Sequence, residues 1–125
     1  MTKVISTKTG TESQILAVGS YRPKRIVPNS EIVDRIDSSD EWIQQRTGIE
    51  TRRFAGSDET VLDMATWAAE SALKKAKLSI SDIDTIIVAT ITFPFQAPSA
   101  ATAILQRLGH PKAAAFDVNA ACAGF

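Results

Sequence analysis

Apolar residues along this chain recur with two different spacings, and stretches of the two kinds alternate. In residues 61–76 they recur three or four positions apart, which predicts an amphipathic helix. Residues 84–91, DTIIVATI, contain four consecutive apolar residues rich in β-branched side chains, which is typical of a strand covered on both faces. Shorter runs predict buried strands at 15–19 and 113–118, and a strand with one exposed side at 49–54. The alternation predicts an α/β fold with a mostly parallel sheet.

The residues that flank the predicted helices indicate where each helix begins and ends. Asn29 is predicted to cap a short helix, and Asp58 or Thr60 is predicted to cap the long helix at 61–76. In the stretch PSAATAILQRLG, Pro98 suits the first turn of a helix and Gly109 suits the residue that follows its end.

The stretch SSDEWIQQRTG predicts another short helix. Ser38 and Glu41 have the spacing of a capping box, and Gly48 stands where a left-handed C-terminal cap is expected. Trp42 and Arg46 are four residues apart, so their side chains leave the same face of this helix. Two roles are open for Trp42 from this pattern alone: a ligand-stacking surface, or an ordinary anchor of the helix to the core.

The charge and composition of the chain exclude several classes of function. Lys and Arg number 14 and so do Asp and Glu, which leaves no broad basic field to bind nucleic acid or an anionic membrane. The single cysteine excludes an internal disulfide and fits a reducing compartment, so the cytoplasm is expected. Residues 1–12 are polar and are predicted to form a flexible tail without a signal peptide, and residues 13–125 are predicted to form the folded part.

The single cysteine, Cys122, lies in the stretch NAACAGF. If it sits between a strand and the first turn of a helix, the free N–H groups and the helix dipole favour the thiolate, which is the nucleophilic form. The small neighbours allow a substrate to approach the backbone closely. The alternative is a buried and inert structural cysteine. The only histidine, His110, stands between Gly109 and Pro111 in a predicted turn and is a poor candidate for a catalytic base.

The sequence stops on a small-residue turn directly after the last predicted strand. A parallel sheet normally has both faces covered, and nothing remains in the sequence to cover or extend this strand. We therefore expect the chain to be a truncated part of a larger fold.

Several stretches, in order, resemble the N-terminal half of a β-ketoacyl-acyl carrier protein synthase III, a condensing enzyme with the thiolase fold that starts fatty acid synthesis. They are GSYRPKRIVPN, SSDEWIQQRTGI, DIDTIIVAT, APSAA and FDVNAACAGF. The resemblance implies an acyltransferase that works as a cytoplasmic homodimer, with acyl-CoA and malonyl-acyl carrier protein as substrates and with neither a cofactor nor a metal. The histidine and asparagine that complete the family's active site have no counterpart in these residues.

The resemblance also implies roles for individual residues. Cys122 takes the position of the nucleophile that accepts the acyl group. Trp42 and Arg46 take positions at the CoA entrance, against the adenine and near the nucleotide, and Ser38 takes a position that also approaches the nucleotide. Ala97, just before the proline of APSAA, takes the position of a residue that closes the partner's acyl tunnel. Many members that use acetyl-CoA have a bulky aromatic residue there.

Two alternatives to the complete synthase stay open from the sequence. The chain could be a non-catalytic fragment or interaction half of such an enzyme, because the base residues are missing from it. It could also derive from another condensing enzyme with the thiolase fold, such as a polyketide-type relative.

Overall fold

The computed structural model describes residues 13–110 and 112–124, so the predicted tail at 1–12 lies outside the described residues. The described chain forms two compact units. The first unit is residues 22–64, and the described part of the second is residues 13–21 and 65–124.

The first unit contains an antiparallel pair of strands and two helices. Strand β1 (Arg25–Pro28) pairs with β2 (Thr51–Phe54), with Val27 opposite Arg52. Helices α1 (Ser30–Val33) and α2 (Asp40–Thr47) lie between these strands in the chain. Strand β1 was not predicted, because its two apolar residues stand next to basic residues and between prolines, a composition typical of a turn.

Helix α2 ends as its sequence predicts but begins one residue later than expected. Gly48 has a φ of 68° and donates its N–H to the carbonyl of Gln44, which is the predicted left-handed cap. At the other end, the N-cap is Ser39, whose Oγ accepts from the N–H of Trp42 at 3.1 Å. The predicted capping box from Ser38 to Glu41 is therefore wrong. Two serines in succession can each serve as a cap, and the second one has the extended backbone that a cap requires.

Helix α3 (Val61–Ala76) has the extent that its apolar spacing predicts. Thr60 is its cap: the N–H of Asp63 donates to Thr60 Oγ1 at 3.2 Å, and the N–H of Thr60 donates to Asp63 Oδ2 at 3.0 Å. The helix begins in the first unit and ends in the second.

The second unit contains a parallel pair of strands with one helix packed on it. Strand β3 (Thr85–Ala89) pairs in parallel with β4 (Ala114–Val118), and α4 (Ala100–Arg107) connects them. The α/β class is confirmed, with one parallel and one antiparallel pair among the described strands. Four buried residues of α4 form the core of this unit: Ala100, Ala101, Ile104 and Leu105.

One face of the β3–β4 pair is exposed, which differs from the predicted cover on both faces. Ile87 and Phe116 lie opposite each other in the register and are 58% and 48% exposed. The apolar run of β3 suits a strand that is covered on both faces. Among the described residues, α4 packs against one face of this pair.

Helix α4 begins after Ser99, whose side chain accepts from the N–H of Thr102. Pro98 stands before this cap and not in the first turn, so that prediction is wrong by two positions. The Ala97–Pro98 peptide bond is cis. Gly109 has a φ of 80° after the helix, as predicted.

The predicted strand at 15–19 is wrong. The segment is not paired with any described strand, and Ile15 and Val18 are 85% and 69% exposed. Instead it lies along α3: a Cβ built on Gly19 would be 2.2 Å from the carbonyl oxygen of Ala68 and 2.4 Å from the nitrogen of Ala72. An apolar run indicates that a segment needs cover, but a strand also needs a hydrogen-bonded neighbour, which the run itself does not encode.

Candidate functional site

Cys122 lies on an exposed turn directly after β4. The chain leaves the strand at Val118 and forms a 3₁₀ turn at Ala121–Ala123. Cys122 is exposed, which contradicts the alternative of a buried structural cysteine. The expected position was between a strand and the first turn of a helix; Cys122 follows β4 and is the middle residue of the three-residue turn.

The backbone around Cys122 is held in a close and partly strained conformation. Ala121 has a φ of 45°, in the left-handed region that alanine rarely adopts. The N–H groups of Ala123 and Gly124 donate to the carbonyls of Ala120 and Ala121. A Cβ built on Gly124 would be 3.3 Å from the Cβ of Ala89, so the turn packs closely against the end of β3. A strained turn that exposes a thiol is typical of functional sites.

An open groove of about 600 Å³ lies between the 90–96 loop and β4. Phe93 and Phe95 are on its wall, with ring centroids 5.6 Å apart in an edge-to-face arrangement. Asp117 and Asn119 provide polar groups on the opposite side. Ala97 is exposed at the end of the loop and is not among the residues that line the groove.

Trp42 and Arg46 form a pair on the surface of α2, as their spacing predicts. The Arg46 guanidinium carbon is 5.8 Å from the centroid of the Trp42 ring, which is a cation–π contact. Trp42 is 55% exposed, whereas Ile43 is 7% exposed and attaches the helix to the first unit. The alternative of Trp42 as a core anchor is therefore wrong, and an aromatic face next to a cation is available to a ligand.

Asn29 connects the two ends of α2. Its side-chain nitrogen donates to Asp40 Oδ1 at 2.6 Å and to the carbonyl of Ile49 at 2.7 Å. Asn29 occupies the predicted N-cap position of α1, but its side chain makes no cap hydrogen bond to that helix. Hydrogen bonds from Gln44 and from Asn29 lower the pKa of Asp40.

Ser38 lies just before α2 in the chain. Its Oγ is buried and has no hydrogen-bond partner among the described residues. Since Ser39 is the cap, helix capping does not account for Ser38. Ser38, Trp42 and Arg46 lie in the first unit, and Cys122 and Ala97 lie in the second.

The described residues contain no cluster of three or more His, Cys, Asp or Glu side chains that could hold a metal ion. No helix described here is long and apolar enough to cross a membrane.

Comparison with known proteins supports the resemblance seen in the sequence. No family model matches the chain. Over 125 residues it is 50% identical to β-ketoacyl-[acyl-carrier-protein] synthase III 1 of Streptomyces coelicolor, of which it covers 36%. The resemblance to the β-ketoacyl-acyl carrier protein synthases III is confirmed. The chain spans a little over a third of the length of the curated relatives it matches.

Solved structures agree with this relationship. The priming β-ketosynthase of the R1128 polyketide pathway matches 90% of the chain with a TM-score of 0.85 and 46% identity, and the chain covers 34% of it. The 3-oxoacyl-[acyl-carrier-protein] synthase III of Aquifex aeolicus matches 90% of the chain with a TM-score of 0.84 and 44% identity, and the chain covers 36% of it. The structure is thus an α/β part of the thiolase-like fold.

Two residues near these sites were missed by the sequence reasoning. The sequence indicates only a helix cap for Asn29 and no role for Asp117, whose carboxylate accepts from the N–H groups of Ala100 and Ala101 at 2.8 Å each. The Asn29–Asp40 and Asp117–Ala100 hydrogen bonds join residues more than ten positions apart, so local spacing in the sequence does not predict them.

Proposed function

We propose that this chain is the nucleophile-bearing part of a β-ketoacyl-acyl carrier protein synthase III. The Sγ of Cys122 attacks the thioester carbonyl of acyl-CoA, which forms an acyl-cysteine, and the CoA leaves as a thiol after it takes up the proton lost by Cys122. Decarboxylation of malonyl-acyl carrier protein then gives a carbanion that attacks the acyl-cysteine. A β-ketoacyl-acyl carrier protein forms, and the Cys122 thiolate is released.

The single observation that carries this proposal is the exposed Cys122 on a strained turn, in a chain 50% identical to a synthase of this type. We do not assign the base of the second step to the chain's one histidine, His110, which stands in the turn after α4, where its backbone N–H donates to the carbonyl of Leu105. The resemblance implies that the remaining catalytic groups come from a region these residues do not include.

The experiment uses a complete synthase, made by joining residues 1–125 to the part of the Streptomyces coelicolor relative that they do not cover. The protein is incubated with a short-chain acyl-CoA, digested, and mapped by mass spectrometry. We expect the acyl mass on the peptide that contains Cys122, and we expect Cys122→Ala to abolish both acylation and condensation. Acylation of a different peptide, or condensation by Cys122→Ala, would contradict the proposal.

A second function is supported by the match to a priming ketosynthase of polyketide synthesis. In that case the same acyl transfer to Cys122 takes place, but the carrier protein belongs to a polyketide pathway. Condensation rates with carrier proteins of the two kinds distinguish the functions. A preference of the complete synthase for the polyketide carrier would favour the second function.

We also propose that Trp42 and Arg46 bind the nucleotide of acyl-CoA, with Ser38 as a further contact. An exposed indole offers a stacking surface for adenine, and a guanidinium suits phosphate. The Oγ of Ser38 is buried without a partner among the described residues, so it bonds a ligand only if the segment before α2 moves.

The test compares acyl-CoA with the acyl-pantetheine that carries the same acyl group and lacks the nucleotide. We call kcat/KM for acyl-CoA divided by kcat/KM for acyl-pantetheine the nucleotide ratio. Stacking of one base is worth ~1–3 kcal/mol, so Trp42→Ala is expected to lower the nucleotide ratio by roughly 5- to 150-fold. Arg46→Ala should lower it too, and Ser38→Ala should lower it less. A nucleotide ratio unchanged in Trp42→Ala and Arg46→Ala would refute this binding role.

The assembly and location that go with this function are a homodimer in the cytoplasm. Light scattering of the complete synthase should give the mass of two chains. A monomer that retains full condensation activity would contradict the homodimer.

A further inference from the structure

The amide group of Asn29 is placed to fix the helix that carries Trp42 and Arg46. Its nitrogen has two hydrogens, and both are used: one bonds Asp40 Oδ1 and the other bonds the carbonyl of Ile49. Asp40 is the first residue of α2, and Ile49 directly follows its left-handed cap, Gly48. One side chain therefore holds both the start of α2 and the chain that leaves its end.

The main chain of Asn29 attaches this side chain to the rest of the first unit. Its N–H donates to the carbonyl of Glu50 at 3.2 Å, next to the β1–β2 pair, and its carbonyl accepts from Ile32 and Val33 in α1. Residue 29 is 1% exposed, so water does not compete for these bonds. Asn29 thus connects α2 to the β1–β2 pair through hydrogen bonds, in addition to the packing of Ile43.

The side-chain oxygen of Asn29 is buried and has no partner among the described residues. A buried polar atom without a partner destabilises the fold, so this atom gives no reason for an asparagine at position 29. The two N–H donors of the side chain explain an asparagine at position 29, because their partners, Asp40 Oδ1 and the Ile49 carbonyl, are both acceptors.

We propose that Asn29 is a positioning residue that preorganises Trp42 and Arg46 for the nucleotide of acyl-CoA. This inference rests on the proposed function. Asn29 itself makes no contact with the ligand. It acts by fixing the orientation of α2, so that the indole and the guanidinium do not have to be ordered when the ligand binds.

The decisive variant is Asn29→Asp in the complete synthase, which keeps the shape of the side chain and removes both donors. The new carboxylate faces the Asp40 carboxylate and the Ile49 carbonyl, so both contacts become repulsive. We expect the nucleotide ratio to fall on the order of tenfold, as for the loss of a stacking contact. The rate with acyl-pantetheine, measured per acylatable active site, should change less than twofold, in line with the ordinary scatter expected of substitutions away from a contact.

A second variant separates positioning from a general loss of folded protein. In Asn29→Asp/Asp40→Asn, the new amide at position 40 can donate to the new carboxylate at position 29. We expect this double variant to recover part of the nucleotide ratio. The matched control is Gln45→Glu, which also places a new carboxylate opposite an existing one, because the Gln45 amide donates to Glu41 on the exposed surface of the same helix. It should leave the ratio unchanged.

Loss of folded protein lowers both rates equally and cancels in the nucleotide ratio, so an unchanged ratio in Asn29→Asp would overturn the positioning role. If Asn29→Asp has no effect while Trp42→Ala lowers the ratio, only this inference fails. If neither variant changes the ratio, the nucleotide-binding role of α2 fails, and the inference about Asn29 fails with it.

Discussion

The carboxylate of Asp117 accepts a hydrogen bond from the backbone N–H of Ala100 at 2.8 Å, and its other oxygen accepts from Ala101 at the same distance. These N–H groups belong to the first turn of α4, where a helix leaves its donors unpaired and favours negative charge. Asp117 is in β4, five residues before Cys122. The strand that leads to the nucleophile is therefore attached to the start of the helix that packs on it.

Replacing Asp117 by alanine should destabilise the second unit. Loss of a side chain that caps a helix is worth about 0.5–2 kcal/mol, and we expect Asp117→Ala to fall within this range. Asp117→Asn removes the charge but keeps one acceptor oxygen. Its effect on stability should therefore be smaller than that of Asp117→Ala. The measurement is the Tm of the complete synthase, with Asp84→Asn, an exposed aspartate just before β3, as the control. An unchanged Tm in Asp117→Ala would show that the contact contributes nothing.

The acid range tests the hydrogen bonds of Asp40. Bonds from Gln44 and from Asn29 to the carboxylate lower its pKa below the ordinary 3.8. Since the folded pKa is below the unfolded one, the stability that these bonds provide is present above about pH 4 and is lost as the pH falls through the folded pKa.

The carboxyl ¹³C resonance of Asp40, assigned by its loss in Asp40→Asn, should titrate with a midpoint below 3.8. Gln44→Leu should raise this midpoint, because the bond from Gln44 is the largest of its causes. Gln45→Leu, at an exposed position of the same helix, is the control and should leave the titration midpoint of Asp40 unchanged. A wild-type midpoint at or above the ordinary value would refute the described geometry.

Local signals in the sequence were sufficient for much of the fold. The apolar spacing of α3 and the glycines at positions 48 and 109 act within a few residues, and each prediction from them is confirmed. The segment 15–19 failed because pairing depends on a neighbour elsewhere in the chain. Asn29 is at the N-cap position of α1 as predicted, but its side chain does not bond that helix, for a related reason: it bonds partners 11 and 20 positions away.

In the candidate site, too, features that depend on nearby residues were predictable and contacts between distant residues were not. The Trp42–Arg46 pair was predictable because residues four apart on a helix are neighbours. The exposure of Cys122 was open from the sequence, because a cysteine among small residues fits both a buried and an exposed position. The contact of Asp117 with α4 depends on the position of β4 next to the start of that helix. No local sequence pattern predicts this contact.

Gly19 should not tolerate a side chain. A Cβ at this position would be 2.2 Å from backbone oxygen and 2.4 Å from backbone nitrogen of α3, and backbone atoms of a helix cannot move aside easily. Gly19→Ala is expected to destabilise the protein by about 1–3 kcal/mol or more, as overpacking does. Thermal unfolding of the complete synthase measures the effect.

Gly56 is the matched control for Gly19. A Cβ there would be 2.8 Å from Asp58 Oδ1, the end of an exposed side chain that can rotate away. Gly56→Ala should therefore have little effect on the Tm. Equal effects of the two substitutions would contradict the close packing of the 15–19 segment on α3.

Ala97 should allow starter groups longer or more branched than acetyl. The resemblance places it where many acetyl-using synthases have an aromatic ring, and replacing a ring by a methyl opens roughly 100 Å³. Each buried methylene of the starter gains ~0.8 kcal/mol. Phe93 and Phe95, which are in edge-to-face contact nearby in the chain, are the side chains that can fill this space instead.

A series of acyl-CoA primers of increasing length, tested on the complete synthase and on Ala97→Phe, measures this preference. We expect Ala97→Phe to shift the optimum toward acetyl-CoA, and Ala55→Phe, at an exposed alanine of the first unit, to leave it unchanged. A preference for acetyl-CoA in both the parent and Ala97→Phe would refute the idea.

The contact between Arg46 and Trp42 also makes Trp42 an intrinsic fluorescence probe of the α2 surface. The chain has two tryptophans, and the other, Trp67, contacts Tyr21 with ring centroids 4.6 Å apart and the ring planes tilted by 49°. Trp67→Phe would leave in these residues a single indole, exposed and in contact with one cation. Because the emission of an indole responds to nearby charge and to stacked rings, occupation of the α2 surface could then be followed by intrinsic fluorescence, without an attached dye and without any chemical turnover.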